Sequence, residues 1–130
     1  MNLNFFFLKH CEDNQYEINQ NQLDIINNLQ NYYKGNFNQN LFSKIFKKNK
    51  FKLGFYLVGD VGVGKTMILN FFFDQLKEKK MRLHFNEFMI KFHDFIFDNK
   101  SKNNAMDLFV KDLSKKAKLI YFDEFQVTNI

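Results

Sequence analysis

Within eight residues, Gly59-Asp60-Val61-Gly62-Val63-Gly64-Lys65-Thr66 sets out the pattern G-x-x-x-x-G-K-[ST]. With 5 glycines in 130 residues, such a match arises by chance on the order of once in a thousand sequences of this composition. Glycine at 59, 62 and 64 lets the backbone turn tightly and come close to an anion, so that consecutive amides around 62–66 converge on phosphate oxygens. A helix starting at this point adds its positive N-terminal end. Lys65 brings a full charge within reach of β- and γ-phosphates, and the Thr66 hydroxyl is a hard oxygen ligand suited to Mg²⁺. A turn that merely joins strand to helix has no need of Lys and Thr in that order.

A second constellation lies 57 residues downstream of Thr66. Leu119-Ile120-Tyr121-Phe122 is an apolar strand that ends in Asp123-Glu124. In a parallel sheet this places Asp123 at the carboxyl edge, where nucleotides bind. Asp123 is then the residue that acts on Mg²⁺ through water, and Glu124 the general base that orients the attacking water. Taken alone, two acids after a strand read equally well as a charged turn, and the phosphate loop tips the balance. His84 and His93 fall on different expected elements, so a hydrogen-bonded structural role is preferred to a metal site. The Phe5–Phe7 and Phe71–Phe73 runs read as core rather than as stacking platforms for bases.

These residues need elements to hold them. Ile18, Leu23, Ile26 and Leu29 predict an amphipathic helix over 20–33 that ends near Gly35, and 41–46 a short second one. Residues 51–58 read as a strand. Residues 65–79 read as a helix with Ile68, Leu69, Phe72, Phe73 and Leu76 on one side. A strand over 81–85, helices over 87–97 and 105–116, and a strand over 118–122 follow. That order predicts an α/β fold, a parallel sheet with helical crossovers. The expected division is a helical lead-in over 1–50 and a nucleotide-binding part over 51–130.

A chain of 130 residues with 45% hydrophobic and 25% charged residues has room for one globular domain. No apolar run approaches the roughly 20 residues of a membrane-spanning helix, nor the 7–15 of a secretory h-region. The single cysteine, Cys11, forms no internal disulfide, which fits a reducing, cytoplasmic compartment. The 19 Phe and the absence of Pro and Trp follow from biased composition, with Phe taking the work of Leu and Val. The net charge of +5 is concentrated in residues 34–52, where Lys34, Lys44, Lys47, Lys48, Lys50 and Lys52 meet no acid. A solvated face accounts for these lysines more simply than a nucleic-acid or lipid surface.

Three blocks carry a resemblance to the ZapE-like (AFG-type) ATPases, a P-loop branch of the AAA+ superfamily with bacterial division-associated and mitochondrial members. They are Gly54 to Met67, Arg82-Leu83-His84-Phe85-Asn86-Glu87-Phe88-Met89 with His93, and Phe122 to Ile130. The chain departs from the family pattern at Asn86, which is usually histidine, and at Asn129, usually aspartate. The resemblance implies ATP with Mg²⁺ as ligands, homo-oligomeric rings and remodelling of a protein partner, possibly of the division machinery. The location it implies is cytoplasmic, or mitochondrial in a eukaryote. A helicase-loader-like role with nucleic acid is the second reading, and a non-catalytic remnant the third. The resemblance also sets Gln22 near the adenine. Ile130 falls before the family's sensor strand, arginine finger and second sensor. The expectation is therefore a P-loop sheet incomplete after the Asp123-Glu124 strand, with unpaired edges, poor folding and slow hydrolysis by this chain alone.

Overall fold

The computed structural model describes residues 1–37, 52–59 and 64–125. The chain divides into two compact units, Met1–Gln75 and Leu76–Ile130.

The first unit is helical. Helix α1 spans Leu3–Asp13, α2 Gln20–Asn36 and α3 Lys65–Gln75. The Phe5–Leu8 run belongs to α1, whose Asn2 side chain accepts a hydrogen bond from the Phe5 amide and caps the first turn. Leu3, Phe7 and Cys11 recur every four residues and are fully buried, whereas Phe5, Phe6 and Leu8 are exposed. Of the Phe5–Phe7 run, therefore, Phe7 alone is core. The helix stops in a Schellman turn: the Gln15 amide donates to Glu12 O and the Tyr16 amide to Cys11 O, with Gln15 in the left-handed region at φ +56.

Asn19 and Gln22 form a reciprocal capping box at the start of α2. Ile26 and Leu29 point inward from this helix, as expected, but Ile18 lies ahead of it and is 40% exposed. Gln22 takes the inward position one turn before Ile26. In α3 the buried side chains are Ile68, Phe71 and Phe72, with Leu69 and Phe73 only half-buried. An almost continuous apolar run from Met67 to Phe73 conceals the helical phase, which is why spacing singled out Leu69 and Phe73 and passed over Phe71. Phe7 meets Phe71 edge to face at 5.3 Å between centroids, and the Leu3 amide donates to Gln30 Oε1 at 2.6 Å. These contacts tie α1 to both other helices.

The strand expected over 51–58 is not formed in the described residues 52–59. Phe55 and Leu57 turn inward and their neighbours outward, the alternation of a strand, but no partner pairs with them among the described residues. Without a neighbouring strand to take up its amides and carbonyls, an extended segment has nothing to fix it as sheet. Phe55 instead lies near Tyr32 of α2, at 6.1 Å, and the Asn36 side-chain amide donates to Lys52 O. The helix expected over 41–46 lies outside the described residues.

The second unit runs β1 (Lys80–His84), α4 (Phe85–Asp98), α5 (Ala105–Lys116) and β2 (Leu119–Asp123). The strands pair in parallel, with Lys80 opposite Leu119 and His84 opposite Asp123. Two of the three expected strands thus form the expected parallel sheet with a helical crossover. Alternation assigns Met81, Leu83, Ile120 and Phe122 to one face and Arg82, His84, Tyr121 and Asp123 to the other. The apolar face meets a cluster of phenylalanines. Phe88 packs on Phe122 at 4.8 Å, and Phe88, Phe92 and Phe95, on one side of α4, surround Phe109 of α5 at 5.2–5.8 Å. Edge-to-face pairs of this kind contribute about 0.5–1.5 kcal/mol each beyond the area they bury. Here the abundant Phe does the work of an aliphatic core.

Candidate phosphate-binding site

Of the loop residues, Gly59, Gly64, Lys65 and Thr66 are described, while Asp60, Val61, Gly62 and Val63 lie outside the described residues. Lys65 opens α3, and the helix's own ladder begins with the Ile68 amide donating to Gly64 O at 3.0 Å. The amides of Lys65, Thr66 and Met67 consequently have no acceptor within the helix and are available to an anion. Gly64 sits at φ +75, a conformation costly for any residue with a Cβ. The Lys65 ammonium reaches back to donate to the carbonyl of Gly59, so that both ends of the loop are joined through one side chain. Thr66 is exposed. A charged amine, helix-end amides and a hydroxyl together suit a polyphosphate with its magnesium ion.

Gln22 belongs to the same unit. A Cβ on Gly64 would lie 3.2 Å from Gln22 Nε2, so the buried amide of α2 is packed against the loop's last glycine. The resemblance set Gln22 beside the base; the structure places it against Gly64. The pattern signal for it was present in Asn19-x-x-Gln22, a capping box that fixes which way Gln22 points.

Asp123 and Glu124 belong to the second unit. Asp123 ends β2 on the polar face of the sheet, held by a two-pronged ion pair: Arg82 Nε donates to Oδ2 at 2.5 Å and Nη2 to Oδ1 at 3.1 Å. The Arg82 fork holds the Asp123 carboxyl below the usual carboxylate range, with a smaller contribution from the Tyr121 hydroxyl, against the opposing effect of burial. Arg82 also stacks over the Tyr121 ring, 4.8 Å from its centroid. Burial pushes the Tyr121 phenol up, and the neighbouring Asp123 charge adds to the rise. Glu124, exposed, follows at φ +52 in the left-handed region. Sequence reasoning missed this use of Arg82, because a contact between residues 41 apart depends on strand register.

His84 is the residue before α4, opposite Asp123, and His93 is an exposed residue of α4 with its ring against Phe92. Asn86 is exposed in the first turn of α4. Most of the basic segment, together with Asn129, lies outside the described residues. Among the described residues, no group of three or more His, Cys, Asp and Glu side chains is arranged to hold a metal, and no helix is long and apolar enough to cross a membrane.

The site can now be set beside known proteins. Cell division protein ZapE of Escherichia coli (strain K12) is 32% identical over 78 residues, which cover 59% of this chain and 21% of that protein. Lactation elevated protein 1 homolog B of Danio rerio is 34% identical over 89 residues, covering 59% of this chain and 18% of the relative. An uncharacterized protein of Schizosaccharomyces pombe is 32% identical over 84 residues, again covering 18% of its length. The chain therefore matches about a fifth of each of these relatives. No solved structure matches it. The model of the AFG1-like ATPase family matches residues 7–130. Because that match runs from within α1 to the last residue and covers nearly the whole chain, the chain belongs to the AFG1-like ATPase family.

Proposed function

We propose that this chain binds ATP with Mg²⁺ and supplies the phosphate-binding and acidic elements of an ATPase that remodels a protein partner. The observation that carries the reading is the start of α3. There a glycine at φ +75 hands over to a helix whose first residue, Lys65, directs its ammonium to Gly59 O. Bound triphosphate offers that ammonium a stronger, charged acceptor than a neutral carbonyl. Thr66 and Asp123 are the residues that would hold Mg²⁺, Asp123 through water, and the ion supplies charge neutralisation at the phosphates. Glu124 is the residue to orient an attacking water. Its left-handed backbone conformation, which costs a non-glycine residue about 1–2 kcal/mol, is the kind of strain that persists at functional positions.

The one arginine of the 130 residues, Arg82, is committed to Asp123, so an arginine acting on a neighbour's nucleotide is not among these residues. Such an arginine is worth about 10³–10⁵ in rate in related phosphoryl transfers. Binding is accordingly the direct readout for this chain, and turnover belongs to a ring of subunits. A role in division follows the name of the Escherichia coli relative. Titrating a fluorescent ATP analogue with and without Mg²⁺ tests the reading. Lys65→Ala, by removing a charge-assisted bond, should weaken affinity about 10- to 100-fold. Affinity indifferent to that change would refute the assignment.

A further inference from the structure

Arg82 and Asp123 are neither neighbours in sequence nor directly opposite in the sheet. The register sets Arg82 against Tyr121 and His84 against Asp123, so Arg82 reaches Asp123 along the diagonal of the polar face. Two features distinguish this pair from an ordinary surface ion pair. Its guanidinium engages both carboxylate oxygens, at 2.5 and 3.1 Å, which fixes the plane of the carboxylate. Its own position is in turn fixed by stacking on Tyr121. The Asp123 side chain is 17% exposed and that of Arg82 41%, so the pair lies at the surface with its outer side open to water. An ionised carboxylate accepts about four hydrogen bonds; the Arg82 fork occupies one position on each oxygen and the Tyr121 hydroxyl a third. Acceptor capacity remains on the side away from Arg82.

From this we propose that Arg82 is the positioning residue for Asp123, fixing the plane of the carboxylate through which Asp123 would act on Mg²⁺. The inference deepens the proposed function and rests on Asp123 acting on Mg²⁺. Lysine replaces it only in part, because an ammonium is a point charge that neither bridges both oxygens nor stacks flat on Tyr121. The helices of the same unit need no Arg82 to pack, since the phenylalanine cluster lies on the opposite face of the sheet.

The test measures affinity of the full chain for a fluorescent ATP analogue with excess EDTA and with Mg²⁺, alongside thermal unfolding without nucleotide. Arg82→Gln should cut the Mg²⁺-dependent gain in affinity about 10- to 100-fold, leaving affinity in EDTA unchanged. Arg82→Lys should fall between Gln and the unsubstituted chain while keeping the melting behaviour of the latter. A purely structural arginine would instead lower both affinities together, or the melting temperature alone, and either result overturns the proposal. Asp123→Asn separates the two levels of the argument. If the Mg²⁺ gain is absent from the start or survives Asp123→Asn, the metal role of Asp123 fails, and the Arg82 proposal with it. If Asp123→Asn abolishes the gain but both Arg82 variants keep it, Arg82 alone is refuted.

Discussion

Replacing Gly64 by Ala separates two reasons for a glycine at the end of the phosphate loop. The first is backbone conformation: at φ +75 an L-residue pays about 1–2 kcal/mol. The second is proximity, since the new methyl would stand 3.2 Å from Gln22 Nε2, tighter than ordinary contact. Gln22 can yield, but its Oε1 accepts from the Asn19 amide in the α2 cap, and losing that bond costs about 0.5–1.5 kcal/mol. Together the two effects destabilise the first unit by about 1.5–3.5 kcal/mol. For a unit of this size, each kcal/mol lowers the melting temperature by roughly 4–8 °C. A double-mutant cycle with Gln22→Ala, followed by urea and thermal unfolding, apportions the cost. In the Gln22→Ala background, Gly64→Ala should still cost about 1–2 kcal/mol, the conformational share. If the substitution becomes free there, proximity and not backbone geometry is what the glycine provides. If it is free in the unsubstituted chain, the reasoning fails altogether.

Phe7→Ala, which empties a fully buried site against Phe71, should cost about 3–5 kcal/mol and be seen as an earlier urea midpoint for the helical unit. Gln15→Gly relieves the left-handed residue of the Schellman turn and should raise stability by up to about 1 kcal/mol in the same assay. Cys11 is fully buried and its thiol is pushed up by that burial, so an aromatic disulfide reagent should label it at the rate at which the helical unit opens. Because the folded state favours the neutral thiol, stability should fall as pH rises past about 8.5, where the unfolded thiol ionises. Cys11→Ala should remove that slope.

Local chemistry made much of this protein legible in one dimension. The sequence Gly59 to Thr66 carries its own turn, charge and hydroxyl, and α3 begins at Lys65 as that reading requires. Helices α2 and α5 and strand β2 lie within a few residues of where periodicity put them, because each presents one apolar side at a recognisable spacing. Helix α1 escaped notice because Phe5-Phe6-Phe7-Leu8 has no visible phase; only the helices packed on it decide that Phe7 turns inward and Phe5 outward. Residues 52–59 show the opposite failure, a strand pattern that joins no sheet among the described residues. The partnerships of Asp123 with Arg82 and of Gly64 with Gln22 are tertiary in origin. Each joins segments about forty residues apart, and whether the side chains meet depends on strand register and helix packing, which are set by both segments together and written in neither one alone.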